Sequence, residues 1–96
     1  MGNNLIIVAR VEAKEDKIEF VKSELIKLIE PTRKETGCIK YELNQDNENP
    51  SVFIFYEKWE NRELLQDHMN TDHLVAYKEA TEGSIDNIIL NEMTLV

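Results

Sequence analysis

Cysteine occurs once, at Cys38, so no disulfide can form within the chain, and a lone thiol fits a reducing compartment. Basic charge is scarce. Eleven Lys and Arg stand against 19 Asp and Glu, for a net charge of −8, and the basic residues form no run. Phosphate backbones and anionic lipid repel such a surface, so neither nucleic acid nor a membrane is an expected partner. Long apolar runs are absent too. Leu5–Ala9 is too short to cross a bilayer and no basic segment precedes it, which excludes a signal peptide and a membrane span. Gly2 stands where N-myristoylation would use it, but the sixth residue is Ile6 rather than Ser or Thr, so that reading is discounted. A cytoplasmic location is the expectation. With three Gly and two Pro there is no linker or low-complexity stretch, and 96 residues are expected to form one domain, 1–96.

What is present reads as β-α-β-β-α-β. Leu5 to Ala13 is apolar on both parities at its start, a strand covered on both faces there. Asp16 is a plausible cap for a helix whose stripe is Ile18, Val21, Leu25 and Leu28, with Phe20 and Ile29 beside it. Pro31 should end or bend that helix near Glu30. Glu35-Thr36-Gly37 is a turn in which Gly37 can take positive φ. Cys38 to Gln45 alternates, with Ile39, Tyr41 and Leu43 on one face and Lys40, Glu42 and Asn44 on the other. The turn formers of 46–51 make a hairpin to a strand over Val52–Trp59. Asn61 caps a helix over Arg62–Met69, and Thr71 restarts it through Leu74 and Tyr77 until Gly83. Ile85 to Val96 closes as a strand. The order predicts a ferredoxin-like α+β fold, a four-stranded antiparallel sheet with the helices on one face.

Strand three is apolar on both parities. Phe53, Phe55 and Trp59 share one face, Val52, Ile54 and Tyr56 the other. The helices cover only one, so the second is expected to be a homodimer interface.

The stretch Phe53–His73, F-I-F-Y-E-K-W-E-N-R-E-L-L-Q-D-H-M-N-T-D-H, holds the only Trp and both His. His68 follows Leu64 by four and Leu65 by three, which turns it inward. An imidazole there either takes a proton from a phenol or enol near neutral pH or is a structural ring bonded to a carbonyl. Trp59 is a core side chain or a pocket wall whose N–H orients a substrate oxygen. Phe55, Tyr41 and Tyr77 are candidate linings. Glu57 shares the parity of Trp59 and is either paired with Arg10 on the neighbouring strand, the favoured reading, or a second acid–base group. His73 lies about 140° from His68 on a continuous helix, a poor chelating arrangement. It is read as a surface or cap-region residue, and no metal site is expected. Cys38 has no His beside it in sequence and is not supported as a nucleophile.

The segments V-A-R-V-E-A at 8–13, G-C-I-K-Y-E-L at 37–43, F-Y-E-K-W-E-N-R at 55–62 and D-H-M-N-T-D-H-L at 67–74 resemble the antibiotic biosynthesis monooxygenase domain family, and most nearly its small quinol monooxygenases. The resemblance implies a dimer in which two sheets form a barrel, with a pocket between each sheet and its helices. It implies oxidation of a quinol or phenol by O₂ without a cofactor. Other branches degrade haem or isomerise small sugar-derived metabolites. Trp59 matches the Trp that ends strand three in the polyketide-oxidising members, but Phe55 stands where they have Asn and Leu65 where they have Tyr. Ala9, His68 and Lys78 stand where the haem branch has its Asn, Trp and axial His, which puts haem in doubt. His68 with the T-x-H pattern resembles the quinol-monooxygenase-like and isomerase branches.

The resulting expectation is a cofactor-free monooxygenase acting on a small quinol or phenol with O₂, with His68 and Trp59 as its catalytic side chains and Phe55, Tyr41, Tyr77 and Glu57 around the substrate. The alternatives are an isomerase or tautomerase using His68 as proton shuttle, and a non-catalytic binding or stress-response module.

Overall fold

A computed structural model describes residues 4–96, so the Gly2 question lies outside the described residues. Four strands, β1 (Leu5–Ala13), β2 (Cys38–Gln45), β3 (Val52–Trp59) and β4 (Ile85–Met93), form one antiparallel sheet in the order β2-β3-β1-β4. Between β1 and β2 lie α1 (Ile18–Lys27) and α2 (Ile29–Arg33); between β3 and β4 lie α3 (Arg62–Met69) and α4 (Asp72–Ala80). This is the predicted ferredoxin-like α+β arrangement.

Alternation along the strands decides what is buried. Val11, Phe53, Phe55 and Tyr41 face Val21, Leu25, Leu28, Leu74 and Tyr77 from the helices. A smaller cluster of Ile7, Trp59 and Leu65 sits at one end of the sheet. Ile6 and Ile7 are both buried, so the start of β1 is covered on both faces as expected. Asn61 and Thr71 cap α3 and α4, each side-chain oxygen accepting from the backbone N–H three residues on.

Five local expectations are corrected. Asp16 caps nothing; Glu15–Lys17 is a 3₁₀ turn and α1 starts without a side-chain cap. Pro31 does not end the helix but lies inside α2. Its missing N–H would have met the Lys27 carbonyl, and the helix breaks there, at Leu28, so the proline acts one turn upstream. Ile39 is exposed rather than inward, because β2 slips register between Cys38, opposite Trp59, and Lys40, opposite Lys58. Strand β4 ends at Met93, where its pairing with Ile6 of β1 ends. Val52, expected on an open face, is already buried, while Ile54 and Tyr56 of that face stay half-buried.

Gly37 has φ 88° and sits beneath α3. A Cβ placed on it would meet Leu64 at 2.3 Å. Among the described residues no helix is long and apolar enough to cross a membrane.

Candidate functional site

A cavity of about 110 Å³ opens between the sheet and α1, α3 and α4. Its walls are apolar except for Tyr41, Glu57, His68, Tyr77 and Lys78. Ile88 and Leu90 of β4, both about half exposed, border it on the side the helices leave uncovered. A dry cavity of about 150 Å³ can hold benzene, so this space, open on one side, suits a molecule about one ring wide.

Each polar group in the wall has a local reason to be there. His68 is on the last turn of α3, on the face Leu65 buries, and is itself buried. Its Nδ1 lies 2.7 Å from Oε2 of Glu35, in the turn before β2. Burial holds its pKa below the ordinary imidazole value, and the Glu35 carboxylate works in the opposite direction. Neutral His68 with its Nδ1–H bonded outward leaves Nε2 as the base. The Trp59 ring lies 4.8 Å from the imidazole, and the Tyr41 ring stacks at 4.3 Å on Phe55.

Glu57 is buried, and desolvation raises its pKa to about 7 despite a 2.9 Å hydrogen bond from Trp59 Nε1–H. The expected Arg10 partner is a correction. Arg10 is on the outer parity of β1, opposite Ile54 and paired with Glu12 at 3.4 Å, whereas Glu57 is opposite Ile7 on the inner face. Tyr77 has its phenol pushed up to about 12 by burial, which the nearby Thr81 side chain offsets in part, and among the described residues no acceptor meets hydrogen-bond geometry with its O–H. An unsatisfied donor at an apolar cavity is a place for a ligand oxygen. Burial, then the charge of Glu57, raises the Tyr41 phenol as well.

The structure therefore brings His68, Glu57, Phe55, Tyr41 and Tyr77 to one cavity. Trp59 is the second correction: it is fully buried beside the cavity and its N–H is already bonded to Glu57, so it supports the wall from behind. His73 lies in the cap region of α4, as expected, and its Nε2 is also 2.7 Å from the same Glu35 oxygen that His68 touches. The 140° of a continuous helix does not apply, because the chain breaks at Asn70 and restarts at the Thr71 cap, as the sequence indicated. That cap was visible in M-N-T-D-H; Glu35, 33 residues before His68, had no signal beyond its turn. Cys38, with its thiol raised to about 11 mainly by burial, is not poised to ionise.

The antibiotic biosynthesis monooxygenase family matches residues 4–80. The uncharacterized protein sll1783 of Synechocystis is 34% identical over 75 residues, which are 78% of this chain but 51% of that protein, so the chain spans about half the length of this relative. The Bacillus subtilis protein named "Putative monooxygenase YcnE" is 26% identical over 86 residues, 85% of this chain and 90% of its own. The crystal structure of PA3566 from Pseudomonas aeruginosa superposes with a TM-score of 0.96 at 28% identity, over 100% of this chain and 97% of that one. With its sheet order, its cavity under the helices and the match over most of its length, the chain belongs to the antibiotic biosynthesis monooxygenase family.

Proposed function

We propose that this protein oxidises a small quinol or phenol with O₂, using no cofactor, with His68 as the general base. The observation that carries the reading is a buried imidazole bordering a ring-sized apolar cavity, with its outer nitrogen held by a carboxylate. The phenol O–H gives its proton to His68 Nε2. The phenolate passes one electron to O₂, and the superoxide and substrate radical join at a ring carbon. His68 returns its proton to the peroxide, the ring carbon gives up its C–H proton as the O–O bond breaks, and that proton joins the departing hydroxide, so one oxygen atom stays on the ring as a carbonyl and the other leaves in water. Tyr77 O–H orients the substrate oxygen, Phe55 and Tyr41 flank its ring, and the apolar wall excludes water. Trp59 contributes by fixing Glu57 and the wall.

Two copies pair through the outer sheet face around Ile54 and Tyr56. Light scattering is expected to give twice the mass of one chain, and a monomer at micromolar concentration overturns the pairing.

The test of activity is oxygen uptake against a panel of hydroquinones and naphthols. Protein-dependent consumption of one O₂ per product, with label from ¹⁸O₂ in the quinone, is expected. His68→Ala should lower turnover by about 10²–10⁴, the usual worth of acid–base catalysis. Tight ligand binding without oxygen uptake across the panel overturns the reading. A second reading rests on Glu57, whose pKa near 7 puts an acid and a base in one cavity. That pair suits a tautomerase, which would exchange substrate C–H for deuterium without oxygen.

A further inference from the structure

We propose that Glu35 is the positioning residue of this cavity: it holds His68 in the Nδ1–H tautomer, with Nε2 free as the base, and shares the same oxygen with His73, the ring nearer solvent. The inference deepens the reading of His68 as a base and rests on it.

The three groups come from three separate segments. Glu35 is fixed at both backbone ends, its N–H bonded to the Thr32 carbonyl at 3.0 Å and its carbonyl accepting from Cys38 N–H at 3.2 Å. His68 ends α3 and His73 opens α4, and Thr71 locks the joint by donating its hydroxyl to the His68 carbonyl at 2.9 Å. The spacing between the rings is therefore built by the helix break. Each ring nitrogen is 2.7 Å from Glu35 Oε2. One carboxylate oxygen between two nitrogens can only accept, so both nitrogens carry protons. That assigns Nδ1–H to His68 and, in the neutral ring that burial favours, leaves its Nε2 unprotonated.

The two rings differ in access. The His68 side chain is 3% exposed and that of His73 is 25% exposed. His73 is the ring nearer solvent, and it draws on the same oxygen that holds His68. The other groups facing His68 are Lys78 from α4, Glu57 from β3 and Tyr41 from β2. Lys78 opposes a second positive charge; Glu57 and Tyr41 add none.

The same three groups could be taken for a metal centre, since their donor atoms lie within 4.8 Å of one another. The distances favour hydrogen bonds. Around tetrahedral zinc with bonds of about 2.0–2.1 Å, donor atoms stand about 3.3 Å apart. Both nitrogens here are 2.7 Å from the oxygen.

The test needs no substrate. Long-range ¹⁵N–¹H spectra of the whole chain, ¹⁵N-labelled at His and followed from pH 5 to 9, read the tautomer of each ring. Expected in the wild type is neutral His68 protonated on Nδ1 and neutral His73 protonated on Nε2. His73→Gln should keep the His68 tautomer, since Glu35 still accepts from Nδ1. Glu35→Gln should move His68 toward the Nε2–H form, because the amide can donate to Nδ1, and Glu35→Asp should restore part of the native form. On a substrate found by oxygen uptake, Glu35→Gln should lower kcat by up to about 10⁴ with little change in KM, as loss of the carboxylate does in other carboxylate–histidine pairs. An Nε2–H His68 in the wild type overturns the proposal, whatever the activity. So does saturable binding of one zinc ion that either His68→Ala or His73→Ala abolishes, which would make the cluster a metal centre. An uptake assay that fails while the tautomers are as expected sinks the oxygenase reading and leaves the positioning role standing.

Discussion

Strands β3 and β4 are both rich in large apolar residues, yet their environments are opposite. In β3, Phe53, Phe55 and Trp59 are buried to within 4%. In β4, Ile88, Ile89, Leu90 and Met93 are all more than 40% exposed. Composition does not separate them; position does. β3 lies between β2 and β1 with α3 packed on it, while β4 is an edge strand paired only to β1. The cavity lies between these two conditions, one side as rigid as a core and the other open. A site so placed can keep its polar groups fixed and still admit a ligand past the open side.

The comparison is broken most severely on the closed side. Trp59→Ala should cost about 3–5 kcal/mol in urea unfolding, because it empties a fully packed space and leaves Glu57 without its donor. Trp59→Phe should cost much less. If Trp59→Ala changes the midpoint by under about 1 kcal/mol, the wall is not core-like.

Next in size is the pH dependence of Glu57. Its folded pKa of about 7 stands above the ordinary carboxylate value of 4.5, so the folded state keeps a proton that the unfolded chain has lost. The stabilisation is complete below about pH 4.5 and lost as pH rises through 7, on the order of 3 kcal/mol in all. Glu57→Gln keeps an acceptor for Trp59 and carries no charge. It should flatten that part of the stability profile between pH 5 and 8; parallel profiles for the two proteins would refute the shift.

The smallest effect belongs to the open side. Ile88→Ala should change the stability of a single chain by no more than about 0.5 kcal/mol, as for most exposed positions. A larger loss that grows with protein concentration would mean that a second copy covers β4 and that the two strands differ less than one chain suggests.

Legibility followed the range of the interactions. The bounds of β2 and β3 and the caps at Asn61 and Thr71 were readable because alternation and capping act within a few residues. Pro31 was readable as a breaker, but its effect falls on the carbonyl four residues back. The slip that exposes Ile39 belongs to the pairing with β3 and leaves no mark in β2 alone. His68 could be placed inward from its neighbours. Its partner Glu35, and the meeting with His73, exist only once the turn and two helices are folded together.

Gly37 gives that meeting its dimensions. Where Leu64 would lie 2.3 Å from a Cβ, only a hydrogen atom fits, so α3 settles against the turn as a part seats against a stop. Glu35 is two residues before the stop and His68 is one helical turn beyond Leu64. The alignment of the proton-transfer pair is thus also a matter of mechanical tolerance, since the hydrogen bond between its members can close only where no methyl group holds α3 away from the turn. A single carbon added at Gly37 would work as a wedge, parting carboxylate and imidazole with every polar residue of the site unchanged.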